Sequence, residues 1–309
     1  MQTVDRPCET PVLLMTFRRP ETTARVFEAI RQARPRALYV AANAPRPGNA
    51  EEAVRCEAVR KIVQAVDWDC SLHTLFREEH LGAGESVSSA ITWFFETVDA
   101  GIILEDDCLP DATFFHFCSE MLERYRNTTN VMQVAGYNLL SGSYDSGADY
   151  HFSHFGWQWG WATWKRAWDC YDLRMTSWPE FKRLGLHKQF PFYSERVRTF
   201  DRTYTGEFTT WDYQWHFAVA SNSGLSVVPR YSLIENIGFG LNATHGTNLA
   251  GGNRYRVPVR PMSFPISHFP FLFADPHYDQ MLIRAAHYRS IGARARSFVS
   301  GVLRRLHLR

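Results

Sequence analysis

Ile102-Ile103-Leu104-Glu105-Asp106-Asp107 is the stretch on which the fold turns. Three aliphatic residues read as a strand buried on both faces, and the chain passes from it directly into three consecutive acids. Upstream, the same kind of segment recurs with helices between. Val12–Met15 reads as a strand, and Pro20 opens a helix that turns Val26, Phe27, Ile30 and Ala33 to one face. Leu38–Ala42 is a second strand, ended by the loop Pro45-Arg46-Pro47-Gly48. Asn49 then caps a helix burying Val59, Ile62, Val63 and Val66. Leu72–Phe76 is a third strand. Beyond Gly82 and Gly84 a helix carries Val87, Ile91, Phe94, Phe95 and Val98 inward, and Ile102–Leu104 is the fourth strand. Phe114–Tyr125 and Val131–Ala135 continue the rhythm as helix and strand.

This alternation predicts an α/β fold: an open, Rossmann-like, doubly wound and mainly parallel sheet with helices on both faces. Ligands of such sheets bind beyond the carboxyl ends of the strands, where Glu105-Asp106-Asp107 lies. After Gly136 the rhythm stops. Residues 136–262 are rich in Trp, Tyr, Gly and Asn and read as an irregular α+β half packed against the sheet. The expected organisation is 1–135 as one half, 136–262 as the other, and 263–309 as a C-terminal segment with a basic tail.

Composition narrows the function. The 309 residues carry 34 Lys+Arg against 32 Asp+Glu, a net +2, without the basic excess of a nucleic-acid binder. No stretch approaches the roughly 18 apolar residues of a membrane span. Met1–Pro11 holds Asp5 and Glu9 and no apolar core, so it does not read as a signal peptide. The six cysteines show no paired spacing, so neither a zinc site nor a disulfide framework is expected. A cytoplasmic location follows as the expectation.

The acids carry the chemistry. Two unit charges ~4 Å apart repel by about 4 kcal/mol at an effective dielectric of about 20. Three at the rim of a core call for an offsetting charge, and hard oxygen ligands suit Mg²⁺ or Mn²⁺ bridging to a diphosphate. The competing reading is an acidic turn that favours the first turn of the next helix.

The sequence resembles the GT-A-fold glycosyltransferases that use a Glu-Asp-Asp version of the Asp-X-Asp motif. It is most similar to bacterial nucleotide-diphospho-sugar transferases, distantly related to the N-acetylglucosaminyltransferase I group. The segments that carry the resemblance are Leu14–Pro20, Leu104–Asp107, Trp157–Trp164, Thr210-Trp211-Asp212 and Asn236–Gly240. It implies a metal-dependent, inverting transfer of a sugar from a nucleotide diphosphate donor, a UDP-sugar foremost, to a hydroxyl of a glycan or lipid-linked acceptor. Asp107 is then the metal ligand, with His245 a further one or a diphosphate contact. Thr16, Arg19, Asn43, Gly84, Glu105 and Asp106 contact the donor. At Asn43 the family usually has Asp, so a charge near the base or ribose is missing.

Asp212, in Thr210-Trp211-Asp212, matches the family's base motif. Flanking aromatics would desolvate it and raise its basicity. The alternative is that Thr210 or Asp212 caps the following helix; Glu207 and Asp172 are weaker candidates for the base. Five tryptophans fall between Trp157 and Trp168. Most read as cement between the halves, with Trp157 and Trp159, and Trp211 further on, as sugar-stacking faces.

Two rivals stand beside this reading. A sugar nucleotidyltransferase on a related sheet should carry an early glycine-rich phosphate loop, and Leu14–Pro20 has arginines but no glycine. A non-catalytic glycan-binding or membrane-associated protein should lack the acids or the base. Finally, residues 281–309 hold seven arginines and no acid, with Phe298, Val299, Val302, Leu303 and Leu306 at helical spacing. Such a tail suits peripheral contact with an inner membrane face, or docking on an acidic surface of its own chain.

Overall fold

The computed structural model describes residues 7–239 and 255–285. The elements follow the chain as β1 (Val12–Thr16), α1 (Pro20–Ala33), β2 (Ala37–Ala42), α2 (Ala50–Gln64), β3 (Ser71–Phe76), α3 (Ala83–Phe95), β4 (Ala100–Glu105), β5 (Cys108–Pro110), α4 (Phe114–Arg124) and β6 (Val131–Ala135). Then come β7 (Tyr150–Ser153), β8 (Trp161–Trp164), α5 (Lys165–Trp168), α6 (Trp178–Arg183), α7 (Tyr193–Tyr204), α8 (Asp212–Ser221), β9 (Leu225–Pro229) and β10 (Ile234–Asn236). Residues 276–285 are helical.

Eight strands form one sheet in the order β3-β2-β1-β4-β8-β6-β9-β7, and β5 pairs with β10 apart from it. Strands β3, β2, β1, β4, β6 and β9 run one way; β8 and β7 run against them. The sheet is therefore mainly parallel and, as the alternation predicts, doubly wound. Side chains alternate between its faces. Val12, Leu14, Ile102 and Leu104 meet α1 and α4 in one core, whereas Leu13, Met15 and Ile103 meet α3 and α8 in the other.

Local signals set the boundaries. Pro20 begins α1 at a position that needs no N–H donor. Asn49 caps α2, its side chain accepting the Glu52 N–H at 3.0 Å. Glu52 sits where a capping box would send its carboxylate back to the cap. Instead its side chain is buried and takes the guanidinium groups of Arg18 (2.7 Å) and Arg46 (2.6 Å).

One expectation is corrected. The chain after Gly136 does not merely pack against the sheet: β7, β8 and β9 are hydrogen-bonded into it, and β8 lies between β4 and β6. These strands are four or five residues long and buried at every position. They therefore lack the alternation that marks a half-exposed strand. The tryptophans divide accordingly, with Trp161, Trp164 and Trp168 buried and Trp157 and Trp159 half-exposed.

Candidate functional site

Parallel register brings the sequence-selected residues to one edge. Thr16 pairs with Ala42, and Met15 with Glu105, so the ends of β1, β2 and β4 lie side by side. Asp106 is nearly buried, and its Oδ2 accepts the Phe17 N–H at 3.1 Å. Arg19, just before α1, donates from Nη1 to Asp107 Oδ2 at 2.5 Å and lies 3.7 Å from Asp106 Oδ1. The acid cluster thus has a cation of its own chain at its centre. Burial pushes the Glu105 carboxyl up to about 8, helped by the charges of Asp107, Asp106 and Asp212. Burial and then Asp107 push Asp106 up to about 7. The Arg19 guanidinium opposes both shifts without cancelling them.

The far wall comes from β10 and the chain beyond it. The Ile237 N–H donates to the Asp107 carbonyl at 2.8 Å. Gly238 lies so close that a Cβ there would sit 2.1 Å from Asp107 Oδ2; only glycine lets this loop cover the carboxylate. Phe239, Tyr255, Trp157, Trp159 and Tyr137 form a continuous aromatic group behind it. Phe239 stacks on Tyr255 at 5.5 Å, and Trp159 meets Tyr137 at 4.8 Å.

Asp212, on α8, lies near enough for its charge to add to the upward shift of Glu105. It is the first residue of that helix. Trp211 occupies the cap position without a side-chain capping bond, while Thr210 Oγ1 accepts the Asp212 N–H at 3.5 Å. Asp212, at the first helical position, is not itself the cap residue. Its Oδ1 accepts the Thr210 hydroxyl. Trp211 is buried against Trp161 at 5.8 Å, and its carbonyl accepts the Tyr171 hydroxyl at 3.1 Å. Gly84, in the first turn of α3, places its Cα where a Cβ would be 3.1 Å from the Thr210 carbonyl, so the starts of α3 and α8 meet. One turn along α8, burial lowers His216 to about 4, against the opposing charge of Asp212. Glu207 is tied to Arg202 in an exposed ion pair, and Asp172 holds the turn at Arg174 and Thr176.

Asn43 lies at this edge, but its amide is engaged within the chain. Nδ2 donates to Leu81 O at 2.9 Å, while Oδ1 accepts the Leu81 and Ala44 N–H groups at 3.1 and 3.0 Å. An aspartate could not make the first of these bonds. Thr16 Oγ1 likewise turns to Ala41 O at 3.4 Å. His245 lies outside the described residues. Among those described, no three His, Cys, Asp or Glu side chains converge as a ready metal cage.

Sequence reasoning did not find the Phe17 surround. Arg18 and Arg46 lie 5.5 and 5.6 Å from the centre of its ring, and His80 lies 5.3 Å away. The signal available was Glu52, an acid at a position of α2 that faces the core.

No family model and no curated protein matches the chain. Solved structures do. HddC from Yersinia pseudotuberculosis aligns at 10% identity and a TM-score of 0.33, covering 56% of this chain and 86% of that one. An apo UDP-glucose pyrophosphorylase aligns at 6% and 0.37, covering 74% and 93%. A UDP-glucose pyrophosphorylase complexed with UDP-glucose aligns at 8% and 0.29, covering 52% and 78%. Likenesses this weak carry no argument about activity.

Proposed function

We propose that the protein is an enzyme of nucleotide-diphospho-sugar chemistry, and specifically a metal-dependent inverting glycosyltransferase. The observation that carries this is the meeting of Glu105-Asp106-Asp107, at the end of β4, with Asp212, at the start of α8. Two anionic groups with different neighbours come near each other at the edge where such sheets bind ligands. Asp107, with Asp106 beside it, would hold a Mg²⁺ or Mn²⁺ once the Arg19 contact that both now share turns toward the ligand. Such an ion takes one or two carboxylates and fills its shell with phosphate and water. Bound there, it would stabilise charge developing on a leaving diphosphate.

The chain's own residues supply the rest. Arg19 and the N-terminus of α1 present positive charge toward a diphosphate. Asp212 takes the proton of the acceptor hydroxyl as its oxygen bonds to the anomeric carbon. The bond to the diphosphate breaks on the opposite face, and configuration inverts. The Trp157, Trp159, Phe239 and Tyr255 rings offer flat surfaces for sugar C–H faces.

A second reading, nucleotidyl transfer to a sugar phosphate, rests on the adjacent arginines at the end of β1. Thermal-shift screening of nucleoside diphosphates with and without Mn²⁺ tests the common core. We expect metal-dependent stabilisation, lost in Asp107→Ala and kept in Asp212→Asn. Turnover of UDP-sugars should fall in both variants. Formation of UTP from pyrophosphate and a UDP-sugar would select the second reading. Full turnover in Asp212→Asn would reject the base.

A further inference from the structure

Arg196, on α7, is a charged side chain only 8% exposed. Its guanidinium lies 4.2 Å from the centre of the Phe155 ring and 5.7 Å from that of Phe190. Nη2 donates to the His154 carbonyl at 2.7 Å, and among the described residues no carboxylate pairs with it. The acid whose charge reaches it is Asp279. That carboxylate is already taken, by the Ser153 hydroxyl at 2.5 Å and by His154 Nδ1 at 2.7 Å. Nε and Nη1 of Arg196 have no hydrogen-bond partner among the described residues, yet neither is sealed from solvent, as Nε of Arg60 and of Arg230 are. A buried charge without a partner is costly, and burial here lowers the guanidinium to about 10. Such a group marks a place where a ligand completes the pair.

The surroundings set the chemistry of that ligand. Side chains of a helix lean toward its N-terminus. Phe155, against the guanidinium, lies 6.3 Å from the ring of Phe192, the residue that precedes α7. The guanidinium therefore lies at the start of the helix. Phe192 has no oxygen to offer, and no side chain caps α7. The acid of the first turn, Glu195, takes the Ser194 hydroxyl at 2.6 Å. Uncapped N–H groups and an unpaired guanidinium at one place both draw an anion. The place is also close to the proposed chemistry. Asp212 and Arg196 both act on His216, one turn along α8 from Asp212. Phe155 is two residues from Trp157, one of the rings offered to a sugar.

We propose that Arg196 and the start of α7 form an oxyanion subsite that selects an acceptor carrying an acidic group, a carboxylate or a phosphate. Nε and Nη1 are the donors it offers, and a guanidinium suits the oxygens of either group. Calling the ligand the acceptor rests on the reading of Asp212 as the base; the binding of an oxyanion does not.

Calorimetric titration of the full chain with D-glucuronate and with glycerol phosphate, against D-glucose and glycerol as their neutral counterparts, tests it. At least one anion should bind about tenfold more tightly than its counterpart, and which one does so identifies the acidic group. Arg196→Met, whose apolar side chain suits the space between the two rings, should lose that preference. Its melting temperature should hold, since removal of an unpaired buried charge offsets the lost bond to His154 O. Stabilisation by UDP with Mn²⁺ should be the same in both proteins, so a failure of the nucleotide-sugar reading shows separately. An equal preference in Arg196→Met overturns the subsite, and so does the absence of any preference in the natural chain. Should Arg196→Met not fold, Arg196→Lys decides, because it keeps the charge without the fork: a weakened preference supports the proposal and an undiminished one overturns it.

Discussion

At the residue scale, Asn43 shows how one side chain can be placed correctly and still do something other than its neighbours suggest. It sits at the carboxyl end of β2, where a donor contact is expected. Its amide instead joins that end to the loop before α3, giving one hydrogen bond to Leu81 O and receiving two from backbone N–H groups. The orientation is fixed, because only the oxygen can accept both N–H groups. Asn43→Asp should therefore destabilise the protein. The carboxylate would face the Leu81 carbonyl with no proton to offer, at a cost of about 1–3 kcal/mol. Urea unfolding of the two proteins side by side measures it. Equal midpoints would mean that the loop before α3 accommodates the charge.

At the scale of elements, the placing of Asp212 rests on how α8 is held. Trp215, one turn into that helix, is fully buried and donates from Nε1 to Gln133 Oε1 on β6 at 2.5 Å. Gln158 donates to the same oxygen at 3.2 Å, and Gln133 Nε2 donates to Ser226 at 3.0 Å. Gln133→Leu would leave buried donors of Trp215 and Gln158 without their acceptor, destabilising the fold by about 1–3 kcal/mol. Gln133→Glu keeps an acceptor and should recover part of the loss. If Asp212 acts as base, Gln133→Leu should lower kcat more than it changes KM for the donor. Steady-state kinetics beside denaturant unfolding separates the two effects.

This scale also explains what could be read from the chain alone. The elements from β1 to β6, the three-residue β5 apart, were legible because Pro20, Asn49 and the alternating apolar runs are local signals. The acids Glu105 to Asp107 were legible because they are contiguous. The insertion of β8 between β4 and β6 was not, since four residues buried on both faces carry no period. Nor was the pairing of Arg19 with Asp107 across 88 positions.

At the scale of the whole molecule, the segment 255–285 ties the far end of the sheet together, and a buried histidine lies in that junction. His151 on β7 is fully buried between Tyr144 and Tyr278, at 5.6 and 4.2 Å between ring centres. Neither of its ring nitrogens has a hydrogen-bond partner among the described residues. Burial lowers its pKa to about 4, against the smaller opposing pull of Asp275 and Asp279. The unfolded chain therefore binds this proton more readily than the folded one below pH ~6.5, where an unperturbed histidine titrates. Stability should be unaffected by His151 above that pH, then fall as the pH drops, with the full loss reached near pH 4. The order of magnitude is about 3 kcal/mol. His216, lowered to a similar value on α8, adds to the same window, so His151→Leu should flatten the dependence without abolishing it. Melting temperatures recorded from pH 7 to pH 4, bounds that span this titration range, decide the matter. Glu105 and Asp106, raised to about 8 and about 7, gain stability on acidification in the same window, so the natural chain is read against His151→Leu: equal slopes would show that the junction admits a charged imidazolium. His151→Leu would then leave the acid limb unchanged.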